Sequence, residues 1–150
     1  MRDSQKTAQE IAFLDIMALQ SSYFLGMYDK AAELAKLTRQ VGVKVLQGQV
    51  YVPRTHFLRG LSYLASPKSE HLREVKNVIR MVQKWIRDGN LNCQHMLYLL
   101  EAELARVNKH VDKAVELYAE AISVATRSSH IHDAGICHEC LARFHVECDN

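Results

Sequence analysis

The densest group of chemistry-bearing side chains lies towards the C-terminal end of the sequence: His130, His132, Cys137, His138, Cys140, His145 and Cys148. Cys137-His138-Glu139-Cys140 is a C-x-x-C, and thiolate and imidazole are the ligands that tetrahedral zinc prefers. On a helix, Cys137 and Cys140 stand three residues apart and could share one metal with His138. Structural zinc pairs, however, usually sit on turns and recruit a second pair from elsewhere in the chain. Cys137 and Cys148 also fall on an apolar stripe with Leu141 and Phe144, where cysteine acts as a small hydrophobe. A helix N-terminus can make such a thiol redox-active by lowering its pKa, but no βαβ pattern surrounds this one. The expectation is no metal and no cofactor. Cys137, Cys140 and His138 are the set that an alternative reading, a small metal-binding or redox-sensing protein, would use.

Other candidates for chemistry are weaker. Glu101 and Glu103 are two residues apart on a helical stretch, so they point to different sides and cannot share a proton as a carboxylate pair. His95, two residues after Cys93, fits a helix–helix boundary better than a metal, and His56 and His71 have no evident partners. No serine stands in a GxSxG elbow and no GxxxxGK[ST] phosphate loop occurs. Trp85 is expected to fill space beside Val82 and Ile86. The chain therefore reads as a non-enzyme.

The elements that must position these residues are helical. The 150 residues are 48 % hydrophobic and 24 % charged, as in a folded globular chain, with only 6 glycines and 2 prolines. So few turn formers argue against a fold of many short strands. Lys and Arg number 19 against 17 Asp and Glu, a formal net charge of +2. The most basic stretch, Lys68 to Arg87, interleaves its charges with Glu70, Glu74 and Asp88 and reads as a solvated helix face, so no nucleic-acid partner is expected. Apolar runs are too short for a membrane span, and MRDSQKTAQE lacks the apolar core of a secretory signal. The four cysteines are then expected as thiols in a reducing, cytoplasmic setting.

Apolar residues recur with helical period at Val111, Ala114, Val115, Tyr118, Ile122 and Ala125; at Leu72, Val75, Ile79, Val82 and Ile86; at Cys93, Leu97, Leu100, Leu104 and Val107; and at Ala134, Cys137, Leu141, Phe144 and Cys148. Leu25-Gly26-Met27 ends a first helix placed at about residues 5 to 25, and a second is expected from about Tyr28 to Gln47, across Gly42 and through Val41–Val45. Pro53 suits the first turn of a third helix, which Ser66-Pro67 closes. Asp88-Gly89-Asn90 stops a fourth, Asn92 is placed as cap of a fifth, and Ser128-Ser129 precedes a last helix from about 131 to 148. That makes about seven helices with short connections, which implies antiparallel neighbours.

An internal repeat sharpens this. Asp29-Lys30-Ala31-Ala32-Glu33-Leu34 recurs 83 residues later as Asp112-Lys113-Ala114-Val115-Glu116-Leu117, and Glu70-His71-Leu72-Arg73-Glu74-Val75 occupies the midpoint. A period of about 40 residues, two helices per unit, is the mark of an α-solenoid of stacked helical hairpins. Small residues at Ala31, Ala35, Ala102, Ala105, Ala114 and Ala121 permit the close approach such packing needs.

Ala102, Ala114, Tyr118 and Ala121 fall where tetratricopeptide-type repeats place small, small, aromatic and small residues. Phe57-Leu58-Arg59-Gly60-Leu61-Ser62-Tyr63-Leu64-Ala65, Leu99-Leu100-Glu101-Ala102-Glu103-Leu104-Ala105-Arg106 and Glu139-Cys140-Leu141-Ala142-Arg143-Phe144 resemble one helical-repeat segment in particular. It lies between the AAA-type ATPase module and the GAF and histidine kinase modules of very large signalling kinases. The resemblance covers most of residues 20 to 148. It implies a scaffold or regulatory connector, since the phosphate loop and kinase blocks are missing here.

Residues 1–150 are accordingly read as a single helical-repeat domain, either self-standing or a fragment of a longer protein. Its expected role is to bind a protein or peptide in the groove lined by the first helix of each pair. Arg59, Tyr63, Tyr98, Glu101 and Arg106 are the side chains expected there. The last helix is expected to present an uncovered apolar stripe, open to another helix, a further domain or a second copy of the chain.

Overall fold

The computed structural model describes residues 2–39 and 51–149, with side chains from Thr7 onward. Among these residues every regular element is helical and none is a strand. The helices are α1 (Arg2–Phe24), α2 (Tyr28–Leu37), α3 (Tyr51–Ala65), α4 (Ser69–Arg87), α5 (Gln94–Val107), α6 (Val111–Arg127) and α7 (Ile131–Asp149), with a 3₁₀ turn at Leu91–Cys93. No helix among them is long and apolar enough to cross a membrane. The chain divides into two compact units, residues 1–78 and 79–150, and α4 contributes to each.

Four of the described connections share one device. Gly26, Gly89, Lys109 and Ser129 each adopt the left-handed conformation, with φ of 73°, 101°, 61° and 59°. In each case the next residue's N–H reaches back five positions: Met27 to Ser22, Asn90 to Trp85, His110 to Ala105 and His130 to Ala125, all at 2.9 Å. This is the Schellman closure, which satisfies carbonyls the helix end would otherwise leave bare. Glycine adopts such a φ freely; Lys109 and Ser129 do so at a cost of about 1 kcal/mol each. Five residues after the left-handed position at three of these turns comes a buried alanine: Ala31, Ala114 and Ala134. An acidic residue stands in the first turn of α2, α4, α6 and α7, where it complements the helix dipole.

In the first unit, α2 packs on α1 and α3, and α1 also touches α3. Ala12, Ile16, Leu19 and Tyr23 form the buried face of α1, at alternating steps of four and three. The alanines Ala31, Ala32 and Ala35 bring α2 close to its neighbours. Helix α3 is enclosed on all sides: every residue from Thr55 to Leu64 is buried. In the second unit, α6 packs on α5 and α7, and α5 meets α7. Its core comprises Met96, Leu99, Leu100, Tyr118, Ile136 and Phe144, with the alanines between them.

Several expectations shift. Helix α2 ends at Leu37, well short of Gln47, because the Thr38 hydroxyl donates back to the Leu34 and Ala35 carbonyls at 3.0 and 3.2 Å. A side chain satisfying helix carbonyls this way competes with continued winding. Gly42, the rest of Val41–Val45 and Gln47 lie outside the described residues. Asn92 does not cap a helix; it sits inside the 3₁₀ turn, and α5 begins two residues later. The inner face of α6 runs through Ala114, Tyr118, Ala121, Val124 and Ala125, leaving Val111 and Val115 exposed. On α7, Ala134, Ile136, Cys137, Cys140 and Phe144 are buried against the second unit while Cys148 is exposed. The stripe expected to be bare is thus largely covered, since its true centre is rotated towards Ile136 and Cys140.

Candidate functional site

A concavity lies in the first unit. It is a cleft of about 320 Å³ lined by Lys36, Arg39, Tyr63, Glu70, His71, Arg73 and Glu74. Lys36 comes from the last turn of α2 and Arg39 from just beyond it, Tyr63 from α3, and the rest from the first turns of α4. Three cations therefore face two carboxylates. Lys36 bonds Glu70 at 2.9 Å and Glu33 at 3.1 Å, and Arg39 reaches Glu74 at 3.3 Å. These hydrogen bonds push the Lys36 ammonium above its ordinary pKa and pull the Glu70 carboxyl below its own. Both stay charged near neutrality. Among the described residues Arg73 has no ion pair.

His71 supplies the floor. It is only 1 % exposed, packs on Tyr63 at a ring separation of 5.1 Å, and places Nδ1 on the Ser66 carbonyl. A carbonyl only accepts, so Nδ1 carries the proton, and in the neutral ring Nε2 keeps a lone pair. That Nε2 is buried and has no hydrogen-bond partner among the described residues; its nearest charged neighbour, Glu70 Oε1, is 3.6 Å away and is itself an acceptor.

Behind the cleft lies a buried cation. Arg59, 2 % exposed, donates from Nε to the Ala35 carbonyl at 2.9 Å and from Nη1 to His56 Nδ1 at 2.8 Å. Its Nη2 is buried without a hydrogen bond among the described residues, and Glu74 stands 3.8 Å off. Burial lowers the guanidinium's pKa, although arginine remains a cation. Burial and the neighbouring Arg59 push His56 down to about 4, so the imidazole is neutral and can accept from Arg59. The Arg59 guanidinium also sits 6.0 Å over the Tyr63 ring.

The second unit holds two buried polar networks. Glu103, also 2 % exposed, accepts from the Tyr118 hydroxyl and from Arg106 at 3.0 and 3.1 Å, and Arg106 continues to Glu147 of α7 at 3.1 Å. Burial and the adjacent carboxylate hold the Tyr118 phenol well above its ordinary pKa. His95 donates from Nε2 to Asp133 at 2.6 Å and stacks on His130 at 4.5 Å, which ties α5 to the start of α7. His95 is thus placed at a helix–helix boundary.

The residues expected to line a groove are dispersed. Arg59 is enclosed behind the cleft and Tyr63 forms part of its wall. Tyr98 and Glu101 are half-buried on α5, where burial raises the Glu101 carboxyl and Lys113 and Gln83 partly offset this. Arg106 is a strut. Trp85 is half-buried on α4. Cys137 and Cys140 are buried on α7 and His138 is exposed. Burial, then the neighbouring Cys140 and Asp133, pushes the Cys137 thiol up to about 12, away from the thiolate that metal binding or redox exchange needs. Among the described residues no three His, Cys, Asp or Glu side chains converge as metal ligands do. His56 and His71, without evident partners in the sequence, each have one.

The cleft residues that sequence reasoning missed are Lys36, Arg39, Glu70, His71, Arg73 and Glu74. Their signal was the alternation of opposite charges at one-turn spacing on α2 and on α4, which reads equally as a solvated face. No family model, no curated protein and no solved structure matches the chain.

Proposed function

We propose that this chain is a non-catalytic helical-repeat module that binds a segment of a partner protein in the cleft between α2, α3 and α4. The cleft carries the reading. It joins an aromatic wall at Tyr63 to closely spaced charges from two helices, the mixture that recognises an extended polypeptide.

The repeat aspect rests on the recurring turn. The equivalence of Ala31 with Ala114, legible as a six-residue match, extends to the same left-handed closure and the same buried alanine, and Ala134 adds a third instance. Units that share a turn and a small-residue contact are what a solenoid of helical hairpins is made from. The likeness to the connector segment of large sensor kinases makes a regulatory, cytoplasmic role within a larger signalling protein the natural extension of this reading.

The test is peptide selection. Phage-displayed peptides selected on the chain are expected to perturb the amide resonances of Lys36, Tyr63 and His71. If selected peptides consistently map elsewhere, or none bind, the cleft is not the binding surface.

A further inference from the structure

The cleft of the first unit specifies more than a polypeptide. We propose that it takes a phosphate monoester carried by the partner segment, with Lys36, Arg39 and Arg73 gripping its oxygens and His71 Nε2 accepting its remaining proton. The inference deepens the peptide-binding reading and rests on it only insofar as the phosphate belongs to a partner.

The positive side is the simpler half. Three cations from two helices converge on one cavity, against two carboxylates, and one of the three, Arg73, is without an ion pair among the described residues. The first turn of the 19-residue helix α4 also contributes Glu70 and His71 to the cleft, so the positive end of its dipole lies at this wall. The buried Arg59 adds a further charge behind Glu74.

The discriminating half is His71. Its Nδ1 proton is committed to Ser66, so the buried, unpartnered Nε2 of this cleft-lining residue keeps a free lone pair. An unpaired buried acceptor is costly, and the missing partner is a donor. An ionised carboxylate or a sulfate offers none and would set lone pair against lone pair. A phosphate monoester has its second pKa at about 6 and can carry one proton beside its anionic oxygens. It therefore supplies a donor for Nε2 and acceptors for the three cations in one tetrahedral group. The same complex forms from the dianion with one proton taken up from solvent.

The carboxylates of the cleft supply the control. Glu70 holds Lys36 and repels an incoming anion, and it is well exposed, so neutralising it leaves the core intact. Glu70→Gln is expected to tighten phosphate binding about threefold or more, whereas a cleft built for a cationic ligand would lose affinity.

The experiment uses the whole chain, titrated calorimetrically at pH 7 with inorganic phosphate, with sulfate, and with a capped phosphoserine peptide and its unphosphorylated twin. Inorganic phosphate at this pH can carry a charge of −2 together with a proton; sulfate matches that charge and shape without the proton. Phosphate is expected to bind about tenfold tighter than sulfate, the phosphopeptide tighter than its twin, and Arg73→Ala to weaken both phosphate ligands about tenfold. His71→Ala should erase the preference over sulfate. Equal affinity for phosphate and sulfate, weakening by Glu70→Gln, or no effect of Arg73→Ala would each overturn the proposal. Should His71→Ala fail to fold, the exposed Arg73 and Glu70 variants still decide. Tight binding of phosphate alone, with the phosphopeptide no better than its twin, rejects a partner-borne ester in favour of a free anion. Unphosphorylated peptides mapping to the cleft while phosphate does not bind would reject this inference and leave the peptide-binding reading standing; phosphate binding with no peptide mapping there would reject that reading instead.

Discussion

Each unit buries one charged side chain at the middle of a helix, and the two are treated oppositely. Glu103 in the second unit is saturated: a phenol and a guanidinium converge on it, and the guanidinium is anchored in turn by Glu147. Arg59 in the first unit is equally enclosed but incompletely held, with one nitrogen unbonded among the described residues and its nearest carboxylate at 3.8 Å. A fully paired buried charge fixes helices against one another. A partly paired one sits behind a cleft whose wall, Tyr63, also touches His71 with its unpartnered Nε2. Unsatisfied buried polar atoms are rare in folded proteins, and His130 Nδ1 is one in the second unit too, so what sets the first unit apart is that His71, which carries one, also lines a cleft.

The two charges are expected to respond differently to removal. Glu103→Ala strands the Tyr118 hydroxyl and the half-buried Arg106, and is expected to cost about 3–5 kcal/mol, read as a loss of denaturant midpoint in the second unit. A cost under about 1 kcal/mol would dissolve the contrast.

The next effect is pH-dependent and belongs to the first unit. The folded-state pKa of His56, about 4, lies below its ordinary 6.5, so folding favours the neutral ring. The unfolded chain then binds the proton more readily, and the stability His56 contributes is complete above pH 6.5 and lost as pH falls towards 4. The shift corresponds to about 3 kcal/mol. Hydrogen exchange of α3 amides across this range should show the loss in the native chain and a shallower one in His56→Gln. Equal slopes in the two proteins would remove His56 from the account.

Arg59→Met is expected to change stability by about 1 kcal/mol or less in either direction, since it removes an incompletely paired charge along with its two bonds. It should also flatten the acid dependence by removing the cation beside His56. A loss as large as that of Glu103→Ala would mean Arg59 is as well satisfied as its counterpart. The smallest effect belongs to Glu147→Ala, an exposed end of the Arg106 bridge: about 0.5 kcal/mol or less by thermal denaturation.

Much of the helical skeleton was legible, because its signals are local. Gly26, Gly89 and Ser66-Pro67 mark helix ends, and the recurrence of Asp29–Leu34 at Asp112–Leu117 marks equivalent turns. The turns at Lys109 and Ser129 were harder to read, because nothing in a lysine or serine announces a positive φ. The stop after Leu37 was missed because Thr38 can serve a helix interior or an end with the same hydroxyl. The rotation of the α7 stripe towards Ile136 and Cys140 was missed because alanine, cysteine and isoleucine offer several apolar faces of similar width.

The candidate site was hardly legible. Tyr63, expected to line a groove, does line the cleft, whereas Arg59, expected beside it, lies behind. Composition and period by themselves determined that this chain winds into helices, since that preference is set within a few residues of chain. Which charges would be hidden, whether their partners would suffice, and which lone pair would be left facing a cavity depended on side chains such as Lys36 and Glu70, 34 residues apart. Such pairs are set by the packing of whole helices, and only the tertiary structure decides them.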